Sequence, residues 1–287
     1  AEAQDILLKL QSEAEDWKGA RETLNAQARS GALPRDVWKR RDAILALQEA
    51  KVVMEEGATP EAREAAIAAN KASPDLIPAA AIAARGLIEK GDKKTATRVL
   101  KKAWEAQPHP DLAAAFAAIE PDETPADRLA RFRTLTAVNP DAEESRLLLA
   151  EASLAAEDFP GARRALGDLP TKHPTQRALA IMAAVERGEG AEDQVVRAWL
   201  AKALSAPRGP QWVCDQCHAI HSEWNPICPN CNGFDTLAWR EPPDSATSTP
   251  GAEVLPLIVS PPPPKPEPPK AAEPAPIDLE ALGRQAN

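Results

Sequence analysis

The chain's four cysteines, Cys214, Cys217, Cys228 and Cys231, form two C-x2-C pairs separated by ten residues. Each pair can turn two thiolates toward one point, and two pairs complete a tetrahedral four-sulfur site for a soft or borderline metal. Four thiolates leave no open coordination position, so the expected site is structural and not catalytic. Zinc is the default occupant, and iron fits the same ligands in a rubredoxin-like site. The cysteines sit together near one end and are not spread over the chain. That distribution points to metal binding in a reducing compartment and not to a disulfide framework.

Other chemistries compete for the same residues. Cys214-Asp-Gln-Cys217-His218 matches the C-x-x-C-H haem attachment pattern, with His218 as axial ligand. That reading leaves Cys228 and Cys231 without a task. A thioredoxin-like redox pair would need a βαβ pattern around it, and none is present. His218 and His221 could stand in for a cysteine as ligand, although four cysteines suffice. Zinc ribbons often contact nucleic acid, but this segment sets Asp215, Glu223, Asp235 and Glu241 against Arg240 alone. With a net charge of -9 for the whole chain, no nucleic-acid partner is expected.

A module of about 30 residues buries too little to fold alone, so the metal would supply its folding energy. Trp212, Ile220, Trp224, Ile227 and Trp239 are its expected small core. The module must be carried by what precedes it. There, Pro74, Pro108, Pro140, Pro174 and Pro207 recur at a nearly constant spacing of about 34 residues, the period of a helix–turn–helix tetratricopeptide repeat. Each follows a helix-like segment, as expected of a residue that lacks an N–H and ends helices.

Small residues at matching offsets mark where paired helices touch: Ala50, Ala62 and Ala69; Ala84, Ala96 and Ala103; Ala150 and Ala162. Leu87, Leu100 and Leu166 are the larger knobs, and an earlier unit is expected around Leu8, Ala20 and Leu24. Glu15-Asp16, Gly91-Asp92 and Glu157-Asp158 read as turns within pairs. The unit over 109–140 fits poorly, because Phe116 and Arg128 take small positions. The sixth keeps Ala183 but has Val195 and Trp199. Residues 33–42 read as an insertion or extra turn. His109 and His173, beside repeat-end prolines, read as surface residues. Aromatics make up only 4% of the chain and tyrosine is absent, which disfavours sheet.

The expected fold is therefore all-α: a tetratricopeptide-type helical-repeat solenoid over 1–207, a four-cysteine zinc-ribbon or rubredoxin-like knuckle over 208–241, and a Pro-rich disordered tail over 242–287. The knuckle is expected to cap the last repeat. Stacked helix pairs offer a concave groove for protein partners, and nothing in the repeats suggests catalysis. The tail holds thirteen prolines between 242 and 276. It ends in the apolar-acidic stretch Ile277–Leu282, which reads as a frayed helical turn or a short docking motif. The chain opens on alanine in a helical pattern, so an upstream segment is expected to be missing, together with any anchor on it.

Repeats followed by Trp212-Val213-Cys214-x-x-Cys217 and Cys228-Pro229-x-Cys231 resemble the HemY-like proteins of alphaproteobacteria. The stretches 108–112, 138–141 and 234–240 are similar to that group, and the likeness runs to about residue 241. It implies a role in a late stage of protohaem synthesis. It also implies two preceding membrane helices, and so an inner-membrane protein whose repeats face the cytoplasm. The two cysteine pairs also resemble the plan of LapB, a membrane-anchored adaptor controlling lipopolysaccharide synthesis through a protease and its substrate. The local sequence is closer to HemY. A non-enzymatic scaffold is the expected function, with a haem- or iron-handling protein as a further alternative.

Overall fold

A computed structural model of the 287-residue chain describes residues 2–31, 33–55 and 60–243. The Pro-rich tail and its 277–282 motif lie outside the described residues.

The helices run in order as α1 (Glu2–Glu13), α2 (Trp17–Arg29), α3 (Arg35–Glu55), α4 (Pro60–Ala72), α5 (Ile77–Glu89), α6 (Lys93–Ala106) and α7 (Pro110–Ala117). They continue as α8 (Pro125–Thr136), α9 (Glu143–Ala155), α10 (Phe159–Leu166), the single-turn α11 (Leu169–Lys172), α12 (Gln176–Gly188) and α13 (Asp193–Ser205). Three short strands follow: β1 (Gln211–Cys214), β2 (Ile220–His221) and β3 (Leu237–Arg240). The chain is mostly helical, and successive helices pack as pairs, as the period predicts.

The five recurring prolines all fall in connections. Pro74, Pro108, Pro140 and Pro174 each separate the second helix of one pair from the first of the next, and Pro207 follows α13. The turns inside pairs share one device. Glu15, Gly91 and Glu157 adopt positive φ of 58°, 78° and 56°. The aspartate after each caps the next helix: Asp16, Asp92 and Asp158 accept from the amides of Gly19, Thr95 and Gly161 at 3.0, 3.0 and 2.9 Å. Four and eight residues past each cap stand Ala20/Leu24, Ala96/Leu100 and Ala162/Leu166, all fully buried. Asp158→Ala leaves the first amides of α10 unpartnered and is expected to lower stability by about 1 kcal/mol. A shift in the urea midpoint at unchanged slope is the check.

The poorly matching fourth unit forms a pair nonetheless. Phe116 takes the small position and packs its ring 5.7 Å from Phe132, and Arg131 lies 4.6 Å over the Phe116 ring. Trp104 of α6 is wholly buried and donates from its indole to Ser145 Oγ of α9 at 2.8 Å, which ties the third pair to the fifth. The expected extra turn around 33–42 becomes the start of α3, at 21 residues the longest helix described. Among the described residues no helix is long and apolar enough to cross a membrane.

The three strands form one antiparallel sheet in the order β2-β1-β3. Trp212 pairs with His221 on one side and Trp239 on the other, and Cys214 pairs with Leu237. An isolated bridge joins Ile227 to Phe234.

Candidate metal centre

Two tight loops present the cysteines, one leaving β1 and one preceding β3, and they are built alike. In the first, the amide of His218 donates to Cys214 O at 2.9 Å and the amide of Cys214 to Ala219 O at 3.0 Å. In the second, the amide of Asn232 donates to Cys228 O at 2.8 Å and that of Cys228 to Gly233 O at 2.8 Å. His218 and Asn232, each directly after the second cysteine of its pair, adopt left-handed conformations with φ of 59° and 56°. Histidine and asparagine tolerate that region better than most residues. Gly233 is required for space, since a Cβ there would lie 2.8 Å from Thr236 Cγ2.

The two loops bring all four Sγ atoms within 4.8 Å of one another. Cys214 and Cys231 are 3.7 Å apart, as are Cys217 and Cys228. A disulfide would require about 2.05 Å. A tetrahedral metal with thiolates at about 2.3 Å sets its ligands about 3.8 Å apart. The four cysteines therefore lie where a single tetrahedral ion could be held.

The thiols are unequal. Burial alone would raise Cys214, but the Thr236 hydroxyl at 3.3 Å and the amides of Cys217 and Gln216 outweigh it and bring the thiol down to about 6. Asn230 and the Ala219 amide lower Cys217. The Gly233 amide favours the Cys231 thiolate, yet desolvation and the neighbouring thiols push it up to about 12. The hydrogen bonds around Cys214 and Cys217 thus favour the thiolate, whereas the neighbouring thiols oppose it at Cys231. A dication removes that resistance.

Of the two histidines considered as ligands, His218 is exposed and His221 is partly buried, with its Nε2 3.4 Å from Cys228 Sγ. His221 thus sits beside a cysteine and outside the four-sulfur group. The C-x-x-C-H haem reading requires Cys214 and Cys217 to face a macrocycle. Instead both face Cys228 and Cys231.

The expected small core needs correction. Trp212 and Trp224 are buried, but Ile220 is 40% exposed. Ile227 and Phe234 pack against the cluster of Leu8, Trp17, Ala20, Leu24 and Leu45 contributed by α1, α2 and α3. The knuckle's core is shared with the repeats, because three strands this short cannot cover both faces of their sheet.

The placement of the knuckle differs more. Apart from the contact of Glu241 with His173 beside α12, it folds back onto α3 and the N-terminal ends of α5 and α7, where Leu76, Ile77 and Pro78 line one pocket with Trp212 and Trp224. Arg40 on α3 forms a two-pronged bond to Asp235, Nε–Oδ2 2.7 Å and Nη2–Oδ1 2.9 Å, while its Nη1 reaches Asp75 at 2.6 Å. Lys51, also on α3, lies 5.9 Å over the Trp224 ring. Gln107 Nε2 donates to Trp239 O at 3.3 Å.

Of the two histidines that read as surface residues, His109 belongs to this seam, while the side chain of His173 is 39% exposed. His109 is 2% exposed, caps α7 by accepting from the Asp111 amide at Nδ1, and packs edge-on 4.2 Å from Trp239 and tilted 5.1 Å from Trp212. His173 lies between two carboxylates, with Nδ1 2.7 Å from Glu143 and Nε2 2.8 Å from Glu241 just past β3. The ring neighbours of His109 come from strands distant in sequence, so no local pattern marks it.

Arg40→Ala would leave the Asp235 carboxylate, 13% exposed, without its partner. The expected cost is about 2 kcal/mol, below that of a fully buried pair because Arg40 is one-third exposed. Faster amide exchange at 234–237 than in α12 is the measurement that checks it.

No family model matches the chain, and no curated protein matches it. Among solved structures it is similar to a tetratricopeptide repeat protein from Parabacteroides merdae, 14% identical, with a TM-score of 0.29, covering 71% of this chain and 98% of that one. A likeness at that level adds no weight to the fold, which stands on the helix pairs themselves.

Proposed function

We propose that the chain is a non-enzymatic protein-interaction scaffold: a tetratricopeptide-type array that holds a protein partner, with a zinc-filled four-cysteine knuckle as a structural part of its wall. The observation that carries this reading is the seating of the knuckle on α3, α5 and α7. Four sulfurs leave a bound ion no position for substrate. The module's other contacts are spent on the repeats, through Asp235, Trp224 and Trp239. A metal so placed shapes a surface. The partner would take the first-helix face beyond the knuckle, on α9 and α12, because repeat arrays present such faces to protein segments.

The HemY-type setting rests on the resemblance alone. It is a scaffold for a late step of protohaem synthesis, held at the inner membrane by an upstream segment, with this portion facing the cytoplasm. A LapB-like adaptor uses the same cysteine plan and is the alternative.

Metal analysis with an absorption spectrum of the purified full chain tests the site. One zinc per chain and no visible colour supports it, and a Soret band overturns it. Cross-linking in cells of the native host tests the scaffold. A protein partner cross-linked to α9 or α12 in the membrane fraction supports the whole reading. A chain recovered without any protein cross-link overturns it.

A further inference from the structure

The last helix of the array turns an apolar face to solvent. α13 exposes Val195 at 40%, Leu200 at 47% and Leu204 at 66%. Leu200, Ala201 and Leu204 line an open groove of about 470 Å³, with Gln176 and Ala180 of α12 as its other wall. Repeat arrays need a polar outer face on their terminal unit, because an apolar one leaves the stacking surface bare. Here that face is interrupted: α13 exposes Gln194, Arg197 and Lys202, but Leu200 and Leu204 stand bare beside them.

The chain carries its own candidate cover nearby. Past β3, Glu241 lies 2.8 Å from Nε2 of His173, which precedes α12 by three residues. The Gln176 amide donates to Pro207 O at 2.8 Å, which holds the end of α13 beside the start of α12. Pro243, two residues past Glu241, is the last described residue, and Glu241 itself sits beside the start of α12, which forms one wall of the groove. After ten further residues comes Val254-Leu255-Pro256-Leu257-Ile258-Val259, an uncharged run with five large aliphatic side chains. A ten-residue tether has a root-mean-square span of about 17 Å and a limit near ~35 Å. The stretch of α13 from Arg197 to Leu204 is about 10 Å long.

We propose that residues 254–259 dock in the α12/α13 groove and close the C-terminal end of the array. Apolar chemistry matches on both sides, and a proline within the run reduces the freedom that docking must remove. So short a tether presents it at an effective concentration of about 1 mM, enough for a weak contact to be filled. The inference is independent of the metal and of any partner on α9 and α12.

Hydrogen exchange of the full chain tests it, comparing the natural tail with one carrying Val254→Asp, Leu257→Asp and Val259→Asp. These changes lie outside the folded repeats. For a segment affinity of about 0.1 mM, amides over 197–204 should exchange about tenfold faster in the variant, with α5 and α6 unchanged. The natural chain should remain a monomer by light scattering. Equal exchange in the two proteins overturns the proposal. So does protection that grows with protein concentration alongside a dimer, which would assign the groove to a second copy and its exposed Ile6, Leu7 and Leu10. Loss of protection on Leu279→Asp with Leu282→Asp, and not on the three changes above, also overturns it.

Discussion

Stripping the metal from the full chain under reducing conditions is expected to unfold residues 211–240 while the repeats stay helical. Without a cation the four sulfurs, all within 4.8 Å, cannot all ionise, and the Arg40–Asp235 bond and the apolar contacts shared with the repeats are left to hold the sheet by themselves. Structural zinc contributes on the order of 10 kcal/mol to modules of this kind. The repeats keep their own core in the buried alanine and leucine pairs. Far-UV circular dichroism should therefore change little, while tryptophan emission shifts red as Trp212 and Trp224 become solvated. Cys214→Ser should reproduce the effect. Because Arg40, Gln107 and His109 lose their neighbours together, amide exchange in the first turn of α7 should rise as well. Loss of the whole helical signal would show that the solenoid depends on the knuckle and refute a repeat array that is stable on its own.

Acid should loosen the same seam by a second route. Burial against Trp212 and Trp239 lowers His109 from 6.5 to about 4, with the Asp111 carboxylate pulling weakly the other way. Nδ1 accepts from the Asp111 amide, so the ring is neutral with its proton on Nε2, which has no hydrogen-bond partner. A depressed folded-state value means that the unfolded chain takes up the proton first. The stabilisation is complete above pH 6.5 and is lost as the pH falls toward 4. A shift of that size corresponds to about 3 kcal/mol. His109→Asn keeps a capping acceptor and removes the titration. Urea midpoints of the natural chain should fall more steeply between about pH 7 and 4 than those of the variant. Protonation of the cysteines affects both proteins, so the difference isolates His109, and parallel slopes would refute the assignment.

The parts of this molecule that can be read from sequence are those determined within a few residues. The proline connections, the Asp16, Asp92 and Asp158 caps and the alanines four residues beyond them are local devices, and they reveal a helical repeat directly. The cysteine pairs are equally local, since each loop closes by hydrogen bonds within five residues. What lies out of reach depends on residues far apart in the chain. Arg40 is an ordinary helix-surface arginine until Asp235 arrives from 195 residues away. His109 looks like a polar residue beside a proline until two tryptophans cover it. Phe116 looks like a fault in the repeat, because a large ring is only acceptable where Phe132 leaves it room. Ile220 has the residue type of a core position, although its strand turns it outward.

The bond between Arg40 and Asp235 also changes the order in which the molecule can be completed. In a plain helical array each unit touches only its neighbours, and structure can grow from either end. Here a surface made by α3, α5 and α7 is finished only when residues 211–240 exist. At about 5–20 residues per second, translation leaves roughly 5–30 s between the appearance of His109 and that of the last strand. During that interval the seats of Trp224, Trp212 and Trp239 stand empty on the nascent chain. The long loop adds only a logarithmic entropy cost once it closes, so the delay is one of synthesis and metal supply, and a chaperone has its natural opening there.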